Sequence, residues 1–424
     1  MSRLLYNLFL IGYQTGIRIV SIWNDKAKAW THGRKDLLSN IASALGRSTP
    51  SSHNIWMHCA SLGEFEQGRP LLDEIRKVSP HSKLIVTFFS PSGYEQRKNY
   101  KGADHVFYLP MDGHKNTRAF IDLINPSLVL WIKYEYWYYY LVELKKRNVP
   151  TLLISGAFRE NQRFFKNNGN FWREMLHTFT HIFLQNNVSA KLLREIRIES
   201  NVTVSGDTRF DNVINIVHNF IDVPYIEQFC KGRQTIVAGS TWEDDEAIFQ
   251  HYVKAHHEKA FIIAPHEVDK ENLQDIKKMF PSSIFYSQLA KNNEVNFNEY
   301  SGINVLIIDS IGLLARLYNY CDVAYVGGGF GDSGLHNILE AAVYGKPVIF
   351  GPEIDKNLEA TEMIEAGGAV CIENALELEA AINEILDNKI VLEMKGKAAY
   401  DYVQKSSGAT EKIMEYLKLQ KLIP

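Results

Sequence analysis

Asp322-Val-Ala-Tyr-Val-Gly-Gly-Gly-Phe-Gly-Asp-Ser-Gly-Leu-His-Asn-Ile-Leu-Glu340, followed by Ala-Ala-Val-Tyr-Gly-Lys-Pro-Val-Ile-Phe-Gly-Pro352, reads as strand, glycine-rich turn, helix, turn, strand. Val323 to Val326 is a short apolar run rich in β-branched residues. Gly327, Gly328, Gly329, Gly331 and Gly334 remove side chains where the chain must turn tightly. The pattern predicts a helix from about Leu335 or His336 to Tyr344, ended by Gly345. A helix N-terminus behind such a loop offers free N–H groups and a positive dipole end to an anion. Glu340 then falls about one turn into the helix, where a carboxylate can hold sugar hydroxyls. Two readings follow from these residues. One is a nucleotide or nucleotide-sugar site; the other is a crossover whose glycines serve close packing alone. Gly329-x-Gly331-x-x-Gly334 also fits a dinucleotide fingerprint, with Glu353 as its ribose acid.

Working outward, strand-like runs recur on both sides. Upstream they are Asn54–Ala60, Lys83–Phe89, His105–Leu109, Leu128–Ile132, Thr151–Ser155, His181–Leu184 and Val202–Ser205. A helix and linker, broken at Pro224, occupy 211–232. The pattern restarts with Gln234–Ser240, Phe261–His266, Ile284–Ser287, Val305–Asp309, Pro347–Phe350 and Ala369–Ile372. Helical stretches separate most of these runs, which predicts doubly wound parallel sheets. At 424 residues the chain exceeds one ordinary core. The fold expected is α/β, with two Rossmann-like domains facing across a cleft. The expected divisions are 1–50 (an N-terminal helix and linker), 51–217 and 218–424.

Net charge is −3, from 46 Lys and Arg against 49 Asp and Glu, so no basic excess points to nucleic acid. The four cysteines, Cys59, Cys230, Cys321 and Cys371, stand singly, which argues against a zinc site and fits a reducing compartment. Cys321 and Cys371 read as buried thiols. Residues 4–17 carry no charge and lie between Arg3 and Arg18. This run is short for a span, and no cleavage site follows it. Ile19, Val20, Ile22 and Trp23 continue it, and Lys26, Lys28, Arg34 and Lys35 make a basic flank. An apolar helix with a Trp and basic flank suits an anionic membrane surface. The plain alternative is a helix packed on the first domain.

Several strands end in polar or glycine-rich turns that would gather at one sheet edge. Glu64 opens a helix after the first strand and is placed to act as a general base; a simple helix-terminal acid is the other reading. Arg209 follows the seventh run and could face an anion. Ser240 and Thr241 read as caps for a helix with acids in its first turn. His266 ends another strand and could reach a phosphate or base.

Together these pieces resemble the Kdo (3-deoxy-manno-octulosonic acid) transferases of lipopolysaccharide synthesis, inverting glycosyltransferases of the GT-B architecture. The matching segments are His58-Cys-Ala-Ser-Leu-Gly-Glu64, Gly206-Asp-Thr-Arg-Phe-Asp211, Ser240-Thr-Trp-Glu-Asp-Asp-Glu246, Pro265-His266, Asp309-Ser-Ile-Gly-Leu-Leu314 and Gly327 to Glu340 with Gly351-Pro352. The resemblance implies transfer of Kdo from CMP-Kdo to a lipid A precursor such as lipid IVA, at the cytoplasmic face of the cell inner membrane. It implies Glu64 as general base and Arg209, on a position usually Lys, as a stabiliser of transition-state charge. It implies CMP contacts from Pro265, His266, Ile311, Gly312, Leu313, Asn337, Ile338, Leu339 and Glu340, with Gly334 and His336 in support. It implies no metal and no cofactor. Where the family often has Glu-x-Glu-Leu-Trp, this chain has Lys133-Tyr-Glu135-Tyr-Trp137, so Lys133 replaces an acid and Glu135 keeps one. Ser155-Gly-Ala-Phe158-Arg159 lacks the usual Arg but has Arg159 adjacent, and His266 stands where Arg is usual. Competing readings are another GT-B transferase or epimerase using a UDP-sugar, and a catalytically inactive, membrane-docked binding protein.

Overall fold

The structure is a computed structural model that describes residues 2–46, 53–290, 302–331, 334–355 and 357–423. The boundary drawn at 50/51, and Asp332 and Ser333 of the glycine loop, lie outside the described residues. The chain forms two compact units, one of Met1–Asn212 with Ser407–Pro424, the other of Val213–Ser406.

The first unit holds a seven-stranded parallel sheet. Its strands are β1 (Asn54–Cys59), β2 (Lys83–Phe88), β3 (His105–Tyr108), β4 (Leu128–Ile132), β5 (Thr151–Gly156), β6 (His181–Leu184) and β7 (Val202–Val204), in the order β3-β2-β1-β4-β5-β6-β7. The second unit repeats the plan with β8 (Thr235–Thr241), β9 (Ala260–Pro265), β10 (Ser283–Phe285), β11 (Val305–Ile307), β12 (Val323–Val326), β13 (Val348–Phe350) and β14 (Ala369–Cys371), ordered β10-β11-β9-β8-β12-β13-β14. Strands covered on both faces read as unbroken apolar runs, which is why β1, β4 and β12 are buried throughout. In each sheet the strand order reverses beside the first strand of the unit, β1 or β8. That switch point is where loops at the carboxyl ends splay and leave room for ligands.

Two features depart from the expected divisions. Residues 407–424 return to the first unit instead of closing the second. Helix Ala409–Leu419 packs on helix Leu62–Val78, and Ile413, Met414 and Leu417 join the core beneath β1 and β2. The first 45 residues are also part of the first unit. Helices Arg3–Val20, Asp25–His32 and Leu37–Leu45 send Tyr6, Leu10, Trp30, Leu37 and Ile41 into its core. Tyr6 donates its hydroxyl to Asp112 at 2.6 Å, and Arg34 donates to the carbonyls of Leu109 (3.0 Å) and Phe89 (2.7 Å). The opposite face of Arg3–Val20 is exposed and apolar, with Leu4, Leu5, Leu8, Phe9, Ile11 and Ile19 bare. Among the described residues no helix is long and apolar enough to cross a membrane.

Cys59 and Cys321 are buried, whereas Cys371, read as a buried thiol, is only partly covered. All four cysteines are free.

Candidate active site

In the first unit the chemistry gathers at the carboxyl ends of β1, β4, β5 and β7. Ser61 caps helix Leu62–Val78 and puts Glu64 in its first turn. A carboxylate there meets the dipole favourably, yet this one is buried, with 7% of its surface exposed. Its oxygens accept from the backbone N–H groups of Ala60 and Tyr134. Burial outweighs those bonds and, with the charge of Glu135 adding, pushes the carboxyl up to about 7. A carboxylate so tuned is half ionised near neutral pH, the condition that suits a general base.

Glu64 is backed by a buried polar chain. His58 Nδ1 lies 2.9 Å from Thr87 Oγ1, and His58 Nε2 lies 3.5 Å from Glu135 Oε2. Glu135 also accepts the Trp137 indole N–H at 2.9 Å, which fixes it behind the site. Lys133 follows β4 in a left-handed conformation (φ 54°), with its ammonium 4.8 Å from the Tyr134 ring centre. That conformation is costly for a side chain other than Gly or Asn, and such positions collect at functional sites.

Arg209 sits in the first turn of helix Thr208–His218, with its guanidinium 2.8 Å from Asp207 Oδ2. Gln185, just beyond β6, donates to the same oxygen at 2.7 Å. Burial works to raise the Asp207 carboxyl, but the charges of Arg209 and Lys133 outweigh it and hold the group below its usual value. Thr208 ties the turn to its neighbours, 2.9 Å from Ser155 and donating to the Gln67 carbonyl at 2.6 Å. Glu64, Lys133, Glu135 and Arg209 therefore meet on one sheet edge. Asp207, His58 and Tyr134 were not assigned roles from the sequence. Their sequence signal is membership of the same motifs: His58 opens the one that ends in Glu64, Tyr134 stands between Lys133 and Glu135, and Asp207 precedes Arg209 by two.

In the second unit the glycines do a different job from the one expected. A Cβ on Gly327 would meet Ser240 O at 2.4 Å, one on Gly328 would meet Gly334 O at 2.4 Å, and one on Gly329 would meet Gly351 N at 2.6 Å. These three are consumed by backbone packing, so the close-packing reading holds for them. The helix also begins later than the pattern predicts, spanning only Leu339–Ala342. His336 N–H is drawn back to Gly327 O at 3.2 Å, which closes the glycine loop and keeps 334–337 non-helical. Glu340 thus lies in the first turn, not a turn inside. Glu353, the acid of the dinucleotide alternative, gives its backbone N–H to Gly329 O at 2.9 Å.

What the loop presents instead is a ring stack. Trp242 and His266 have centroids 4.7 Å apart, and His266 and His336 4.5 Å apart, both stacked. Trp242 Nε1 donates to His336 Nε2 at 3.1 Å, which leaves the His336 proton on Nδ1. Burial, then the neighbouring His266, lowers His336 to about 4, so it is neutral at pH 7. Asn337 donates to Glu340 at 3.1 Å. Pro265 is the buried end of β9. Ile311 and Gly312 (φ 92°) form an exposed turn, and Leu313 caps helix Leu314–Leu317, which packs against Leu339–Ala342. The expected caps at Ser240 and Thr241 are replaced. Asp245 accepts from Trp242 N and Gly328 N, each at 2.9 Å, while Thr241 donates to Glu246 at 2.8 Å. Asp245 is what locks the glycine loop onto the helix after β8. Among the described residues no group of three or more His, Cys, Asp or Glu side chains is arranged to hold a metal ion.

A family described as 3-deoxy-D-manno-octulosonic-acid transferase (kdotransferase) matches residues 38–212, the stretch that carries Glu64, Lys133, Glu135 and Arg209. A 3-deoxy-D-manno-octulosonic acid transferase of Haemophilus influenzae is 26% identical over 388 residues, covering 88% of each chain. Residues 38–212 thus match the Kdo transferase family, and relatives of that description align over most of the chain at about 26% identity. A bifunctional glycosyltransferase/methyltransferase of Fusobacterium nucleatum is 26% identical over 79% of this chain, which spans 53% of that protein. In fold, the chain is similar to the UDP-GlcNAc 2-epimerase of Neisseria meningitidis, solved with UDP-GlcNAc. That match has TM-score 0.62 and 16% identity, covering 86% of this chain and 99% of the epimerase. The matched family and both the Haemophilus and Fusobacterium relatives carry the name of a transferase.

Proposed function

We propose that the protein moves Kdo from CMP-Kdo to a hydroxyl of a lipid A precursor such as lipid IVA, with inversion. The observation that carries this reading is Glu64, a buried carboxylate at the end of β1 raised to about 7, within the matched Kdo transferase segment. Glu64 takes the proton of the acceptor hydroxyl as that oxygen attacks the anomeric carbon of Kdo. The bond from that carbon to the CMP phosphate oxygen breaks, and CMP leaves with the electron pair. Arg209, steered by Asp207, offsets the charge that develops. In the second unit the Trp242–His266–His336 stack offers aromatic faces to a base or ribose, and Glu340 is assigned to the ribose hydroxyls. Gly334, Asn337, Ile338, Leu339 and the Ile311–Leu313 turn are assigned to the rest of CMP. No metal is invoked.

We further assign the exposed apolar face of Arg3–Val20 to the surface of an anionic membrane, the cytoplasmic face of the inner membrane. Its apolar surface is opposite the side held by Tyr6 and Leu10, so docking needs no unfolding of the helix.

The test is incubation of the full chain with CMP-Kdo and lipid IVA, with product mass and released CMP as readouts. A mass gain of one or more Kdo units is expected, abolished in Glu64→Gln. Stabilisation by UDP but not CMP, with no Kdo product, would overturn the reading in favour of a UDP-sugar enzyme. CMP binding with no turnover by the intact chain would make it a binding protein.

A further inference from the structure

Beside the exposed apolar face lies an open cavity of about 510 Å³, set among the three N-terminal helices and the loop after β3. Its rim is basic, with Arg18, His32 and Lys35 all exposed and Arg34 in its wall. Burial lowers the Arg34 guanidinium to about 10, so it remains cationic at neutral pH. One acid, Asp36, also lines it. Arg18 and Lys35 make no ion pair among the described residues, so their charge is not spent inside the protein.

The floor is apolar, formed by Trp30, Leu37, Leu38, Pro110 and Met111. Trp30 is 93% buried by its 7% exposure, yet its indole N–H has no partner within the protein. A buried N–H without an acceptor costs free energy comparable to a lost hydrogen bond. The Trp30 ring lines the cavity, but that N–H is itself buried and is not offered to a ligand there. Gln14 and Asn116 add neutral polar groups to the same lining.

The geometry points to this cavity as a binding site for the phosphate headgroup of a membrane phospholipid. Three observations select that ligand. The unpaired cations Arg18 and Lys35 on the rim call for an anion rich in acceptor oxygens. An apolar floor suits the glycerol and first methylenes attached to that headgroup. Gln14 and Arg18 also lie on the same helix as Leu4, Leu8 and Ile11, along the seam next to its bare apolar face. A lipid seated here therefore has its chains beside the surface assigned to the membrane. The inference rests on the membrane contact proposed above, and adds to it one specific pocket.

The test is flotation of the full chain with vesicles of phosphatidylcholine alone or doped with phosphatidylglycerol. Wild type is expected to prefer the doped vesicles, and Arg18→Gln/Lys35→Gln to lose about tenfold or more of that affinity. The control Lys26→Gln/Lys28→Gln removes the same charge from the same flank outside the cavity, and retains most of the preference. Binding to plain vesicles should be little changed in both variants. Equal losses in the two double variants, or none in the first, would overturn the pocket and leave membrane contact standing. Failure of wild type to float with any vesicle would overturn both. Loss of the preference on adding inorganic phosphate, but not equimolar sulfate, would assign the cavity to a soluble phosphate instead.

Discussion

Glu64 Oε1 accepts the backbone N–H of Tyr134 at 3.5 Å, so the side chain that opens one helix is fastened to the loop that follows β4. The bond comes from the backbone and survives changes in the Tyr134 ring. It holds the carboxylate in place while burial keeps it near the midpoint of its titration. Transfer should therefore rise with pH through about 7 and flatten above it, and a pH profile of kcat checks this. Stability should move the other way. The folded pKa lies above the ordinary 4.5, so the folded state holds a proton that the unfolded chain releases between those values. Stability contributed by this group falls as pH rises from about 4.5 to 7. Glu64→Gln, inactive, should then be more stable than wild type at pH 8, by up to about 3 kcal/mol. A urea midpoint that is unchanged or lower at pH 8 sinks this assignment.

Lys133 bears on Glu64 from the positive side, and with Arg209 it bears on Asp207. The Lys133 charge works to lower Glu64, and with Arg209 it keeps Asp207 ionised. Lys133→Glu replaces that cation with a carboxylate beside Glu64 and Asp207. The activity limb should shift to higher pH while CMP affinity holds. Arg209→Lys keeps the charge and should cost little, whereas Arg209→Ala should lower kcat by about a hundredfold. Equal kcat values for the Lys and Ala variants would remove Arg209 from the chemistry.

The sheets were legible because buried parallel strands leave apolar runs of four to seven residues that no solvent-facing alternation interrupts. Glu64 and Arg209 were legible as residues just past strand ends, at the carboxyl edge of the sheet. The role of the glycines was not. Gly329 is close to Gly351 in space but 22 positions away, and a pattern of glycines reads the same for a phosphate cradle as for two backbones in contact. The helix start was missed for a related reason, since the hydrogen bond from His336 to Gly327 spans the loop and overrides local propensity. The return of 407–424 to the first unit rests on contacts with helix Leu62–Val78, most of the chain away, which periodicity cannot carry.

Glycine substitutions separate packing from ligand contact in the loop. Gly329→Ala forces a methyl group to within 2.6 Å of Gly351 N. Overpacking of this kind should cost about 1–3 kcal/mol, seen as a lower thermal midpoint without ligand. Among the described residues a Cβ on Gly331 would meet only Asp244 Oδ2, at 3.7 Å, so Gly331→Ala should leave unliganded stability within about 0.5 kcal/mol of wild type. If CMP affinity falls in Gly331→Ala while stability holds, the loop touches the nucleotide. If Gly329→Ala is as stable as wild type, the packing account is wrong.

Asp211 closes the motif that contains Arg209, and its carboxylate serves the end of the chain. Oδ1 accepts from Gly408 N and Oδ2 from Thr410 N, both at 2.6 Å, so it caps helix Ala409–Leu419 from 197 and 199 positions away. The charge meets the positive end of the helix dipole and satisfies two N–H groups that the helix cannot. Asp211→Ala should therefore destabilise the first unit by about 1–2 kcal/mol. Asp211→Asn retains one acceptor oxygen and should lose about half of that. Amide exchange across 411–419 should accelerate in the Ala variant before exchange in β1 does, because the cap holds the helix against Leu62–Val78 and not the sheet itself. Glu64 opens that same underlying helix, so fraying of Ala409–Leu419 should also lower turnover modestly. Unchanged exchange across 411–419 in Asp211→Ala would show that burial of Ile413, Met414 and Leu417 fixes the helix without its cap.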